Sequence, residues 1–475
     1  MNRRSMLKTT AAGAMAGAAT TMTPNPLWAA FQAAPGGSIF DPRKYGAKGD
    51  GVTLDTTALQ KAIDACTQAG GGTVRLSPGT YVSGTITLKS NVTLELLSGA
   101  TILGSPNIAD YFLPPEGLAA LKGQQSQHLI FALNAQNVSL LGPGTVDGNG
   151  PSYYVPSNKV KPKPEDEFRD VASAYMDRAQ HISPMIELAN VTNLRVENIR
   201  LQNAVGWTLH PVGCSQVIIH NVTVRNPINA SNTDGIDMNS CQDVTMSDCD
   251  IITGDDAICV YTYNPYGGNL ISKNINVTNC KVSTCCNGLK IGWQGGYPFQ
   301  NINFKHCQVY SANGPINERV ISGIAVEMSD GSTIDGVTYD DITMTNVRTP
   351  IFIRLQKRMG RPNAPLQGSI KNVSISNVKA TGAILTSSIT GLAGLPVQNI
   401  TLTNIDISTI EQGKQEWTQP PVKEPETAYM EANMFGRLPS YGFYARHVTN
   451  LQMKNIHVNG QAGDPRQMFI HEDVN

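Results

Sequence analysis

Charge is scarce in this chain, and long apolar runs are scarcer. Of 475 residues only 15% are charged, and 36 basic against 37 acidic side chains leave a net charge of −1. So balanced a composition gives no electrostatic footprint for nucleic acid or for an anionic membrane surface. After the first 30 residues no stretch approaches the ~18 uninterrupted apolar residues of a membrane span, so none is expected. No cysteine falls in those 30 residues, which argues against a lipid anchor there. Aromatics are few, at 6%, whereas glycines number 44. Length alone would suggest two or three domains, but repeat folds break that rule.

The opening Asn2-Arg3-Arg4-Ser5-Met6-Leu7-Lys8 is followed by a weakly apolar stretch of Ala, Gly and Thr, and Leu27-Trp28-Ala29-Ala30 offers small residues for cleavage. Two arginines ahead of a mild hydrophobic region look like a twin-arginine export signal over residues 1–30, and an exported protein, periplasmic or extracellular, is expected. Residues 38–475 read as a single domain. Thr56 to Ala69 carries Leu59, Ile63 and Cys66 on one helical face and stops at Gly70-Gly71-Gly72. Short alternating segments follow, at Thr73–Leu76, Gly84–Leu88 and Val92–Leu96. One helix before many short strands predicts a cap on the open end of a β-stack.

From Val138 onward the chain repeats a unit, apolar-x-apolar-x-(Asn/Asp/His)-apolar-x-apolar. It runs Val217-Ile218-Ile219-His220-Asn221-Val222-Thr223-Val224 and returns at Val244, Ile275, Ile302, Val337, Val373, Ile400 and Leu451. The starts are 27, 31, 27, 35, 36, 27 and 51 residues apart while the inner spacing stays constant. A fixed unit with variable connections predicts an all-β solenoid whose turns bury their apolar faces against each other. Capped solenoids of this kind are commonly monomers, and a monomer is expected. The last gap holds a loop, Glu411 to Arg437, or an extra turn. The repeat also assigns the cysteines. Cys249, Cys280 and Cys307 fall at the sixth position, held elsewhere by Val222, Ile342, Val378, Ile405 and Ile456, and so read as stacked core thiols. His306 and Asp248 take the corner held by Asn221, Asn279, Asn377, Asn404 and Asn455, a structural place. Cys285 and Cys286 are adjacent, and a bond between them would be strained.

A second strand aligns by hand as Gly206–His210, Gly235–Asn239, Ala257–Tyr261, Gly288–Gly292, Gly323–Glu327 and Pro350–Arg354. With the second and fourth residues inward, two outward columns follow. One runs Thr208, Asp237, Cys259, Lys290, Ala325, Phe352; the other runs His210, Asn239, Tyr261, Gly292, Glu327, Arg354. Just before these strands stand Asp234 and, one turn on, Asp256, with Asp255 one residue earlier. At ~4.8 Å between turns the three carboxylates face one site. Bunched carboxylates resist ionising together and suit general acid and base work. The face beside them carries His210, Asn239, Tyr261 and Lys290, a groove for a polymer. No metal or cofactor is required by this chemistry.

These residues resemble glycoside hydrolase family 28, the polygalacturonase family. The resemblance is carried by Tyr45-Gly46-Ala47-Lys48-Gly49-Asp50-Gly51, Trp207-Thr208-Leu209-His210-Pro211, Asn232-Thr233-Asp234 and Gly254-Asp255-Asp256, and covers almost all of the chain after the signal. It implies a right-handed parallel β-helix and inverting hydrolysis of a glycosidic bond. Asp255 would be the general acid, Asp234 and Asp256 would hold and deprotonate the attacking water, and Asn232 would join His210, Asn239 and Tyr261 at the substrate. Two places depart from the family pattern. Its Gly-His-Gly reads Cys286-Asn287-Gly288 here, and its Arg-Ile-Lys reads Ala325-Val326-Glu327. An acid where a cation should meet a uronate carboxylate is a repulsion. The expected substrate is therefore a pectic or related uronate-containing polysaccharide other than plain homogalacturonan at the cleaved bond, with Lys290 and Arg354 as relocated cationic contacts. Two other readings stay open: a lyase or epimerase on the same architecture, its acids holding Ca²⁺, and an inactive carbohydrate-binding β-helix. Endo and exo attack are not separable at this level; Leu113–Gln127 and Pro151–Gln180 are the segments that could close the groove.

Overall fold

Strands of three to six residues with one apolar edge cannot close a core alone, so they stack. The computed structural model describes residues 37–112, 127–158, 163, 176–179, 182–312, 315–329, 331–419 and 422–475. The predicted signal and most of segments 113–127 and 151–180 lie outside them. Within them the chain winds as a right-handed parallel β-helix. A central turn has three strands, such as Ile236–Asn239, Gln242–Ser247 and Asp250–Ile252. In later turns the second and third continue as one bent strand, such as Thr333–Thr345. The right hand is the one that strand twist imposes on parallel connections.

The repeat read from the sequence is the register of the wall. Val217, Val244, Ile275, Ile302, Val337, Val373, Ile400 and Leu451 pair one upon the next. Cys249, Cys280 and Cys307 are buried in the core as free thiols. The corner residues share one backbone state: φ is 51° at Asn221, 57° at Asp248, 55° at Asn279, 54° at His306 and 56° at Asn404. Left-handed φ is costly for most side chains and mildest for Asn and Asp, which explains the corner's composition. Their side chains also bond from turn to turn, Asn404 Nδ2 to Asn377 Oδ1 and Asn455 Nδ2 to Asn404 Oδ1, each at 2.9 Å.

The helix Thr56–Gln68 buries Leu59, Ile63 and Cys66 against the first strands of the stack. Val397–Thr409 pairs directly with Ser440–Asn459, so the last gap is one long connection and not an extra turn.

From Ile236 onward the first outward column holds, with Asp237, Cys259, Lys290, Ala325 and Phe352 in register, but the second breaks at a register shift after Val260, where Thr262 pairs with Gly295 and Tyr261 does not meet Gly292. The strand before Ile236 slips by two residues. Leu209 pairs with Ile236 and Val212 with Asn239, which puts His210 beside Asp237. Pro211 fills the inward place given to Leu209, and Trp207 belongs to the preceding corner. Glu187, which pairs with His210, thereby joins the same column.

Asn404→Ala should lower stability by about 2 kcal/mol, from backbone strain plus lost ladder bonds. Asn404→Gly keeps the backbone state and should cost about half as much in denaturant unfolding. Equal losses would assign the corner's worth to the side-chain ladder alone.

Candidate active site

Two glycines let the acid-bearing corners stack. A Cβ on Gly254 would lie 2.3 Å from the Ala230 carbonyl oxygen, and one on Gly235 would lie 2.4 Å from that of Ala257. With no side chain in the way, Gly235 N–H donates to the Asp256 carbonyl at 2.9 Å, so Asp234 and Asp256 face one another on adjacent turns. Asp255 stands at the corner. Its carboxylate accepts from Asp256 N–H at 2.9 Å and from Asn232 N–H at 3.2 Å, so Asn232 enters the site through its backbone. Asp255 is half-buried, whereas Asp234 and Asp256 are 4% exposed.

The carboxylates are kept in different states. Burial, and then the charges of Asp255, Asp237 and Asp256, push Asp234 well above the usual carboxylate range. Asp237 is driven up by burial and then by Asp256 and Asp255. It is fully buried in the column between His210 and Cys259; the outward alignment contained it, but no motif singled it out. Burial opposes charge on Asp256 too, but the Lys290 ammonium and bonds from Lys290, Asn287 and Cys286 outweigh it and hold the carboxyl low. Lys290 Nζ donates to Asp256 Oδ2 at 2.9 Å, and Asn287 donates to Oδ1 from its amide at 2.8 Å and its backbone at 3.1 Å. Tyr261 adds its hydroxyl at 3.4 Å. Asn287 thus fastens Asp256.

Lys290, expected at the substrate, is 1% exposed and enclosed between Asp256 and Glu327, the latter at 3.5 Å. Burial would lower its pKa, but the charges of Asp256 and Glu327 raise it well above the ordinary range. Burial lifts Glu327 from 4.5 to about 7 despite Lys290. Arg354, the other expected contact, is also 1% exposed. Its guanidinium donates to the Gly391 carbonyl at 2.8 Å and the Pro425 carbonyl at 2.6 Å and lies over the Phe435 ring. Neither cation offers a free donor set to a uronate, because the strand face that carries them is covered by the chain's own 422–435 segment.

His210 and Asn239 do come together. Asn239 Nδ2 meets His210 Nε2 at 2.7 Å, and His210 Nδ1 meets the Glu187 carboxylate at 2.5 Å. An amide N–H donates, so Nε2 accepts and Nδ1–H points to Glu187. Glu187 was missed because its strand, Ile186–Ala189, carries none of the motifs and was not aligned. Donor atoms of Asp255, Asp256 and Cys286 lie within 4.8 Å of one another, close enough to share a cation. Burial and then Asp256 and Asp255 keep the Cys286 thiol protonated, however, and a cation would have to displace Lys290 from Asp256.

The family model described as "Glycosyl hydrolases family 28" matches residues 71–427, and the chain belongs to that family. It is 30% identical to an exo-poly-alpha-D-galacturonosidase of Dickeya chrysanthemi over 45% of this chain and 40% of that protein. It is 28% identical to an endo-polygalacturonase of Pectobacterium parmentieri over 64% of this chain and 73% of that one. The first two relatives matched are spanned over less than half their lengths, 40% and 44%. Among solved structures, a hyperthermoactive exopolygalacturonase from Thermotoga maritima superposes with a TM-score of 0.65 at 20% identity, over 89% of this chain and 92% of that one. That likeness is one of fold.

Lys290→Met leaves two buried acids without their counter-ion and should cost about 3–5 kcal/mol of stability. A loss under about 1 kcal/mol would mean that the pair is not held dry. Glu327 gives a pH signature. Its folded-state pKa is raised, so the folded protein keeps a proton that the unfolded chain releases, and stability falls as pH climbs from 4.5 to about 7. Glu327→Gln should remove that fall in unfolding midpoints measured across the window.

Proposed function

We propose that the protein is an inverting glycoside hydrolase acting on pectic or related uronate-containing polysaccharide. The observation that carries the reading is the split among the acids. Asp256 is held ionised by Lys290 and Asn287, beside a half-exposed Asp255. In this reading Asp255 protonates the glycosidic oxygen as the anomeric carbon–oxygen bond breaks. Asp256 takes a proton from the water that attacks the other face, and Asp234, protonated at rest, orients that water. The proton given by Asp255 leaves with the alcohol product, and the proton taken by Asp256 returns the pair to its starting charge.

Inverting enzymes commonly hold their two carboxyls about 6.5–9.5 Å apart, and retaining ones about 5–5.5 Å. Here the nearest donor oxygens of Asp255 and Asp256 are within 4.8 Å, on the short side. Inversion is still favoured by how Asp256 is engaged. Both of its oxygens accept hydrogen bonds, which suits a base toward water better than a nucleophile toward carbon.

The substrate is read from what stands in place of the expected cations. Ala325 is buried under apolar side chains and Glu327 is paired with Lys290, so neither meets substrate, and the absence of a cationic grip there favours a unit other than galacturonate at the cleaved bond. Rhamnogalacturonan and decorated pectins fit this description. The Arg3-Arg4 opening supports action outside the cytoplasm, where such polymers are met.

Asp255→Asn and Asp256→Asn should each cut kcat by about 10²–10⁴-fold with little change in KM. Reducing-end release on homogalacturonan, rhamnogalacturonan and neutral pectic side chains measures this. Unchanged turnover in both variants would end the assignment. The anomer released, followed by NMR, should be inverted; retention would make Asp256 a nucleophile.

A further inference from the structure

The long connection before the strand Ser440–Asn459 does not hang free. Its described part runs back across the outer face of the site sheet, from the last turns toward the acids. Arg446 donates to the Val422 carbonyl at 3.2 Å, Arg354 to that of Pro425 at 2.6 Å, and Gln356 to that of Ala428 at 2.6 Å. Backbone joins backbone at Lys357 N–H to Glu426 O, 3.1 Å, and at Gly360 N–H to Thr427 O, 3.2 Å. Past these pins the segment lays Met430 and Ala432 onto Cys286, Ile321, Ala325 and Phe352, with Met434 and Phe435 packed alongside. Ile321, Ala325 and Phe352 are left with no exposed surface. At its base Arg437 stacks over Trp417, 4.2 Å from the ring centre, and pairs with Glu411.

These contacts fix where open groove ends. Along the column, Asp256's turn is represented by Cys259, the next turn by Lys290 and the one after by Ala325. Cys286, one turn on from Asp255, already packs with Met430 and Ala432, so the covered face begins within one turn, ~4.8 Å, of the acids. Tyr429, half-exposed at 52%, is the segment's residue nearest that opening in sequence before the buried Met430. Its neighbour Met430 packs in one cluster with Cys286, whose thiol lies within 4.8 Å of carboxylate oxygens of Asp255 and Asp256. The segment therefore ends at the site, not elsewhere on the wall.

We infer that the 422–435 segment walls off the groove on the carboxy-terminal side of the acids, so that the enzyme trims a short saccharide from one end of its polymer rather than cutting within it. The inference rests on the proposed hydrolysis. An arm of substrate passing the acids in that direction meets Tyr429 and then the apolar plug of Met430 and Ala432. The plug is apolar and pinned by backbone bonds, so displacing it would expose Phe352 and Ile321 and strand the Arg354 guanidinium. A polymer gains nothing there that offsets this.

The test follows viscosity and product size together, on homogalacturonan and rhamnogalacturonan, with oligosaccharides labelled at the reducing end alongside. The expected result for the unaltered protein is one short product from the earliest times, nearly constant viscosity at a few per cent hydrolysis, and label appearing consistently on the short or on the long fragment. A ladder of oligosaccharides with early collapse of viscosity would overturn the inference while leaving the hydrolase reading intact. No release from any polymer would remove the hydrolase reading and this inference with it. Replacing residues 428–435 by a short Gly-Ser linker should shift products toward a ladder. Should that variant fail to fold, Tyr429→Ala keeps every pin and should lengthen the product spectrum, and the result on the unaltered protein stands independently of both.

Discussion

The structure depends on one constraint, the parallel backbone pairing that sets each turn ~4.8 Å from the next and, outside a few local register shifts, keeps each residue over its counterpart. Every other feature inherits it. Core residues of one kind stack on residues of the same kind because each lies directly over its counterpart, as the thiols of Cys249, Cys280 and Cys307 do. Corners must repeat a left-handed residue because the bend recurs at the same place. Acids that precede equivalent strands must meet because the strands do.

That constraint explains why so much was legible in the sequence. A unit of constant inner spacing gives the register of a whole wall, and Val217 through Leu451 pair as the repeat predicts. The acids were legible for the same reason, being tied to strands in register. Illegible were the features that the repeat does not govern. Period alone could not choose between Trp207 and Pro211 as apolar markers, and the strand Leu209–Val212 was misplaced by two residues. Nor could it tell an outward side chain in solvent from one under a returning segment, and so Lys290 and Arg354 were read as exposed. The segment that buries Arg354 lies 71 residues further along the chain at Pro425 and carries no periodic signal.

The charges of the site form a sequence along the helix axis. Glu187 meets His210, Asp237 follows, Lys290 stands over Asp256, and Glu327 stands beyond Lys290. His210 and Asp256 are answered from neighbouring turns, whereas the Asp237 carboxyl accepts no hydrogen bond among the described residues, and burial makes these pairings matter, since little water is available to screen them. Asp256 stays charged because its ammonium is one turn away. Burial, and then the acids nearby, push Asp234 and Asp237 well above the usual carboxylate range. Asn287 fastens the Asp256 carboxylate, and Lys290 neutralises it from within.

A solenoid is modular, and turns can in principle be duplicated or deleted without disturbing those far away. The charge sequence is not. It spans consecutive turns from Glu187 to Glu327, each supplying one member. A duplication or loss inside that window would preserve the architecture and separate Asp256 from its counter-ion, whereas the same event outside it would change only the length of the wall. Lineages of such chains are thus free to vary at the ends and in the connections, and held rigid over a few central turns by electrostatics that no single turn contains.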